Sequence, residues 1–163
     1  MLAFSLRNSE VCEFAEFGED ALEAVLAIEN AVSPSPWSRQ NFLDSIHSSH
    51  YCYAAYHAET ILGFAIFSCA AGEAELLLIA VNPTHQRLGV AEGLLHCAQS
   101  LLGRKAQELF LEVRESNESA IGLYEKLEFN CIGRRPNYYP SRGKHPREDA
   151  LIYAKHMTSK VDG

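Results

Sequence analysis

The 163 residues suffice for one domain with a single filled core, and not comfortably for two. Ordinary apolar content, modest charge and the lack of any run approaching about eighteen apolar residues predict a globular protein without a membrane span. A formal net charge of −7 disfavours a generic nucleic-acid binder, which presents a basic face. The same charge is compatible with a cationic amine substrate, and equally with simple solubility.

The first twenty residues carry scattered acids instead of a basic start and an apolar run, so no secretory signal is expected. Five widely spaced cysteines, Cys12, Cys52, Cys69, Cys97 and Cys131, form no C-x-x-C pair. That usage predicts reduced thiols in a cytoplasmic protein, with Cys97 and Cys131 as inert core thiols. The seven histidines are dispersed, and His47 and His50 lack a Cys, Asp or Glu at ligand spacing, so no metal is expected.

Val11–Phe17 alternates loosely and predicts a first strand. Over 21–32 the residues Leu22, Val25, Leu26 and Glu29 share one helical face. Pro34 and Pro36 break that helix, and Ser38 is placed to cap a second over about 39–48. Residues 51–56 and 61–69 read as a hairpin, and 75–81 as the third strand of a meander. A turn begins at Asn82-Pro83, and apolar residues recur at helical spacing from Val90 to Leu102. Leu109–Val113 predicts a buried strand, and Ser116-Asn117 a cap for a short helix through Leu127. Residues 129–133 and 150–154 are the last predicted strands, joined by a polar loop over 134–149. The order β-α-α-β-β-β-α-β-α-β-β implies a single α/β domain over residues 1–163, with a mixed, mostly antiparallel sheet flanked by about four helices.

The run Gln86-Arg87-Leu88-Gly89-Val90-Ala91, between the strand and the helix, is the most informative segment. A strand-to-helix junction of this kind gathers unpaired backbone N–H groups and the positive end of a helix dipole, which suits a phosphate. It has neither the G-x-G-x-x-G spacing of a dinucleotide fold nor the Gly-Lys-Ser/Thr of a P-loop. Taken alone, Gly89 could equally serve a plain tight turn.

Its neighbours decide between these readings. The pattern Gln/Arg-x-x-Gly-x-Gly/Ala after Ile79-Ala80-Val81-x-Pro83 resembles the acetyl-CoA pyrophosphate loop of the GNAT N-acetyltransferases. The resemblance continues through Leu111-Glu112-Val113-Arg114-Glu115-Ser116-Asn117 and Ala120 to Phe129, then Arg134 to Pro140 and Arg147-Glu148-Asp149-Ala150. With Pro36-Trp37-Ser38, these blocks are similar to the bacterial ribosomal-protein-alanine N-acetyltransferase branch, the RimI type, over about residues 20–155.

The resemblance implies acetyl-CoA as acetyl donor and a protein N-terminus, that of a small-subunit ribosomal protein, as acceptor. It places the pantetheine arm and thioester along Ile79, Ala80 and Val81, and the pyrophosphate on the amides of Arg87, Leu88, Gly89, Val90, Ala91 and Glu92. It assigns a cofactor contact to Asn117, the general base to Glu112, acting directly or through a water, and the general acid to Tyr124. Trp37, Tyr138 and Tyr139 fall on the acceptor side. The residue types suit the chemistry: a carboxylate accepts the proton of an α-amine with a pKa near ~8, and a phenol supplies one to the departing thiolate. The same machinery could serve a small-molecule amine or a lysine side chain, and a domain of this type could also hold acyl-CoA without turnover.

The chain departs from the family pattern in several places. Ala91 stands for the commoner second glycine, and Glu92 for a basic or small residue, next to the expected phosphates. Glu92 is therefore expected to point away from them and to offer only its N–H. Glu128 replaces the glycine of Leu-Gly-Phe, where a left-handed backbone would strain it by about 1 kcal/mol. The segment from Ser141 to Pro146 is longer and more basic than usual, so acceptor selectivity is expected to differ.

Overall fold

The computed structural model describes residues 2–140 and 146–157. Its strands are β1 (Leu2–Ser5), β2 (Val11–Glu16), β3 (Tyr51–His57), β4 (Thr60–Ala70), β5 (Glu73–Val81), β6 (Glu108–Arg114), β7 (Asn130–Tyr139) and β8 (Glu148–His156). Its helices are α1 (Leu22–Val32), α2 (Arg39–Ile46), α3 (Val90–Leu102) and α4 (Glu118–Lys126). The strands form one eight-stranded sheet in the order β1-β2-β3-β4-β5-β6-β8-β7. Among the described residues only β5 and β6 pair in parallel, and every other neighbouring pair is antiparallel.

Two apolar layers sandwich the sheet. On one face α1 and α2 pack Leu22, Val25, Ile28 and Phe42 against Phe64, Ile66 and Ala80. On the other, α3 and α4 pack Val90, Leu94, Leu95, Tyr124 and Leu127 against Leu62, Ala65, Phe67, Leu109 and Leu111. Strand β4 is covered on both sides, which is why Ile61 to Phe67 reads as an unbroken apolar run in place of an alternating one. Strand β6 alternates, with Leu109, Leu111 and Val113 under α3 and α4 and Phe110, Glu112 and Arg114 on the opposite face.

Local signals set the helix ends. Ser38 caps α2 by accepting from the Asn41 N–H, and the Asn41 side chain accepts in return from the Ser38 N–H, a full capping box. Asn117 caps α4 through the Ala120 N–H at 3.2 Å. After α4 the Phe129 N–H reaches back to the Tyr124 carbonyl at 3.0 Å, and Glu128 takes φ +70°, the left-handed conformation expected at this position.

Three expectations are corrected. The chain begins one strand earlier than its pattern implied, because β1 is short and gains its order only by pairing with β2, Leu2 opposite Phe14 through Ser5 opposite Val11. The segment 134–149 is not all loop: β7 runs on through Tyr139 and β8 starts at Glu148, with register shifts that accommodate Pro136 on an edge strand. Cys131 is exposed, since β7 ends the sheet and turns that side chain outward, whereas Cys97 is buried and its thiol is pushed up by burial. The expectation about Ser141 to Pro146 falls largely outside the described residues.

Candidate active site

The parallel ladder between β5 and β6 is short, running from Glu73 opposite Glu108 to Leu76 opposite Leu111. Beyond Leu76 the two strands part. A register shift against β4, where Phe67 faces Leu76 but Ile66 faces Leu78, leaves Leu77 as the extra residue of a bulge at the mouth of the split. From there Ile79, Ala80 and Val81 remain paired to β4 on one edge, opposite Ala65, Phe64 and Gly63, and their other edge is open. The Asn82 N–H bonds the Leu62 carbonyl, so by alternation Ala80 turns its backbone groups to β4. Ile79 and Val81 turn theirs into the split. The Val81 carbonyl meets the side-chain amide of Gln86 at 3.4 Å there.

At the end of this edge a short 3-10 turn, Pro83–His85, leads into α3. Arg87 sits at φ +64° and Gly89 at φ +97°, and no side chain caps the helix. Alternating hands at consecutive residues curl the N–H groups into a concave anion cradle, and the helix adds the positive end of its dipole. Glu92 lies in the first turn of α3 with its carboxylate 3.1 Å from Lys126 Nζ and 3.5 Å from Arg7 Nη2. Two cations thus meet the charge that stood out in the sequence. Asn117 spends its side-chain oxygen on the α4 cap, which leaves the amide nitrogen of that side chain as its remaining donor.

Across the split stands a cluster of side chains. Glu112, 19% exposed, receives Arg135 Nε at 2.7 Å. It lines a cleft of about 490 Å³ together with Glu75, Phe110, Arg135 and Ile152. The strand register bulges between Arg135 and Tyr139. Asn137, at φ +53°, donates its N–H to Asp149 at 2.9 Å and receives Arg147 Nε on its carbonyl at 2.9 Å. This bulge brings both tyrosines to Glu112. The Glu112 carboxylate raises the Tyr138 phenol through its charge, with burial and a hydrogen bond adding to the effect. Tyr139 is pushed up to about 12 by burial first and by Glu112 second, with the Arg114 guanidinium 4.3 Å over its ring.

Tyr124 approaches from the other face of the sheet. Its ring is buried between Phe129, 5.7 Å away, and Tyr153, at 6.5 Å. Burial raises its phenol far above the ordinary tyrosine value, with Tyr139 as the next cause. Tyr139 is therefore electrostatically coupled to Glu112 on one side and to Tyr124 on the other. A carboxylate and a phenol held protonated by burial are groups chemically suited to accept and to supply a proton.

Trp37 stands apart from this cluster. Its ring packs on Phe42 at 5.4 Å and its backbone N–H donates to the buried Glu29 carboxylate at 3.0 Å, which anchors the α1–α2 connection. Arg135, Glu75 and Arg114 were not singled out by sequence reasoning. The block Arg134-Arg135-Pro136 was visible, but the pairing of Arg135 with Glu112 depends on a strand register that no local pattern reveals. Among the described residues no three metal-ligating side chains converge, and no helix is long and apolar enough to cross a membrane.

The split sheet and the uncapped glycine loop are those of an acyl-transfer fold, and the sequence comparisons agree. The acetyltransferase (GNAT) family model matches residues 20–129, and the chain belongs to that family. It is 39% identical over 134 residues to the [ribosomal protein bS18]-alanine N-acetyltransferase of Escherichia coli K12, covering 82% of this chain and 89% of that protein. Its identity to the Haemophilus influenzae protein of the same description is 36% over 149 residues, 91% of this chain and 95% of the other. The crystal structure of the E. coli ribosomal-protein-S18-alanine N-acetyltransferase superposes with a TM-score of 0.84 at 33% identity, covering 93% of this chain and 97% of that one.

Proposed function

We propose that this chain transfers the acetyl group of acetyl-CoA to the α-amine of a protein N-terminus, and that the acceptor is the N-terminal alanine of ribosomal protein bS18. The carrying observation is the placement of Glu112, with Tyr138 and Tyr139, beside the mouth of the β5–β6 split. In this reading the pantetheine arm pairs with the open edge of Ile79 and Val81, and the pyrophosphate takes the amides from Arg87 to Glu92. Asn117 donates its side-chain amide to the cofactor. Tyr138 and Tyr139 border the acceptor side, and Trp37 supports it from the α1–α2 connection.

The reaction follows from those placements. The incoming ammonium, with a pKa near ~8, gives a proton to Glu112. The amine nitrogen attacks the thioester carbonyl, and backbone N–H groups at the Leu77 bulge meet the developing oxyanion. Collapse breaks the C–S bond as the attacking nitrogen gives up its second proton to solvent. Tyr124 passes its proton to the departing thiolate and recovers one from solvent. No covalent enzyme intermediate forms.

A thiol-release assay tests the activity, comparing an alanine-starting peptide with the bS18 N-terminal sequence against polyamines and free amino acids. Preference for the peptide is expected. Mass spectrometry of ribosomal proteins from cells with and without the gene tests the substrate, and an unaltered bS18 N-terminus would remove it from the proposal.

A further inference from the structure

The family match begins at residue 20, so β1 and the turn after it lie outside the matched span. That turn nevertheless sits directly behind the glycine loop. The Arg7 N–H donates to the Leu88 carbonyl at 2.9 Å, and Arg7 Nη1 donates to the Arg87 carbonyl, also at 2.9 Å. Arg7 Nη2 lies 3.5 Å from Glu92. Phe4, on β1, fills the space beside α3 so closely that a Cβ on Gly93 would fall 2.2 Å from its ring. At the far end of the turn the buried Glu10 Oε2 faces His85 Nε2 at 3.7 Å and His57 Nε2 at 3.9 Å.

We infer that the β1 hairpin is an intramolecular brace for the loop that receives the donor's pyrophosphate, and that Arg7 is a positioning residue governing acetyl-CoA affinity. The inference rests on the cofactor reading given above. Its basis is peptide geometry. In a trans peptide the C=O of one residue and the N–H of the next point in opposite directions. Drawing the Arg87 and Leu88 carbonyls back onto Arg7 therefore turns the N–H groups of Leu88 and Gly89 away from the hairpin, into the concave side of the loop. Arg87 at φ +64° is a conformation that a non-glycine residue holds only when its surroundings impose it. Arg7 imposes it, by satisfying the two carbonyls that this turn leaves without helical partners. The guanidinium also faces Glu92, which with Lys126 gives this corner two positive charges against one negative.

The test compares the unaltered protein with Arg7→Ala and Arg7→Lys, using calorimetric titration with CoA, steady-state kinetics and hydrogen exchange of the loop amides. Arg7→Ala is expected to weaken CoA binding and raise the KM for acetyl-CoA on the order of tenfold, the scale of losing one charged hydrogen bond behind a binding loop. The kcat and the acceptor KM stay within about twofold, because the brace lies outside the group that moves protons. Exchange at Leu88 accelerates in the free protein, while Gly89, set through the Arg7 backbone N–H that alanine keeps, changes less and the β6 amides keep their protection. Arg7→Lys restores charge without the forked donor and falls between the two. CoA binding and loop exchange indifferent to Arg7 would overturn the inference alone, as would a loss confined to kcat. Failure of the unaltered protein to bind CoA would overturn the cofactor reading and the inference together.

Discussion

On the β5 side of the split the site is made of backbone: an open strand edge at Ile79 and Val81, and a row of amides from Arg87 to Glu92. On the β6–β8 side it is made of side chains, Glu112, Arg135, Tyr138 and Tyr139, with Tyr124, buried on α4, as the proton donor of the proposed reaction. Backbone groups bind what comes repeatedly in one shape, and they are indifferent to most substitutions that preserve φ and ψ. Side chains supply protons, and each must be the right residue at the right place. The first half should therefore be visible in KM for the donor, and the second in kcat.

The largest effect should come from Glu112→Gln, which keeps the volume and removes the base. A fall in kcat of about 10²–10⁴-fold is expected with CoA affinity unchanged. A loss confined to donor KM would break the division between the two halves. Tyr124→Phe should lower kcat by about 10²-fold for the same reason. Because burial raises the Tyr124 phenol, the unaltered enzyme should keep its kcat on the alkaline side up to about pH 10, where an ordinary tyrosine would already be losing its proton. A decline setting in well below that pH would argue against a protonated Tyr124.

On the backbone half, Glu92→Ala should tighten CoA binding by about two- to fivefold, the scale of a partly screened charge, and leave kcat alone. Titration calorimetry at two salt concentrations would read it. Glu128→Gly tests a position outside both halves. Removing the left-handed strain at φ +70° should stabilise the fold by about 1 kcal/mol and raise Tm by roughly 2–4 °C with kinetics unchanged. The smallest effect is expected at Glu29, whose carboxyl is raised by burial despite the Trp37 backbone N–H that opposes the shift. A raised carboxyl in the folded state favours the protonated form. Its contribution is thus fully present below the unfolded value of about 4.3 and is lost as pH rises through the folded one. Glu29→Gln should accordingly raise Tm at neutral pH, and the gain should fade on acidification toward pH 4.

The backbone half was also the half that the sequence exposed. The strand, the Pro83 turn, the Arg87-x-Gly89 spacing and the apolar period from Val90 are all local, and the structure keeps them within a residue or two. The side-chain half was legible only as residue types. Glu112 and Tyr124 could be picked out by resemblance, but Arg135 on Glu112 and Tyr139 beside Glu112 follow from the pairing of β6 with β8 and of β8 with β7. Long-range register of this kind leaves no periodic trace. The β7 bulge was hidden by Pro136 and Asn137, which read as loop residues although they lie within a strand. The charge of Glu92 looked like a conflict because its partners, Arg7 and Lys126, come from distant parts of the chain. Strand β1 escaped notice for a related reason, since four residues carry too little pattern to announce a strand that exists only by pairing.

The short parallel ladder has a mechanical consequence. From Glu73 opposite Glu108 to Leu76 opposite Leu111, it is the strand pairing that joins, among the described residues, the antiparallel halves β1–β5 and β6–β8 of the sheet. Each half carries its own hairpins, and besides this seam the two units share the apolar layer under α3 and α4. A molecule lying in the split touches both units and bridges that seam. Donor binding then fastens the two halves together, so the bound protein should melt in a sharper transition than the free one.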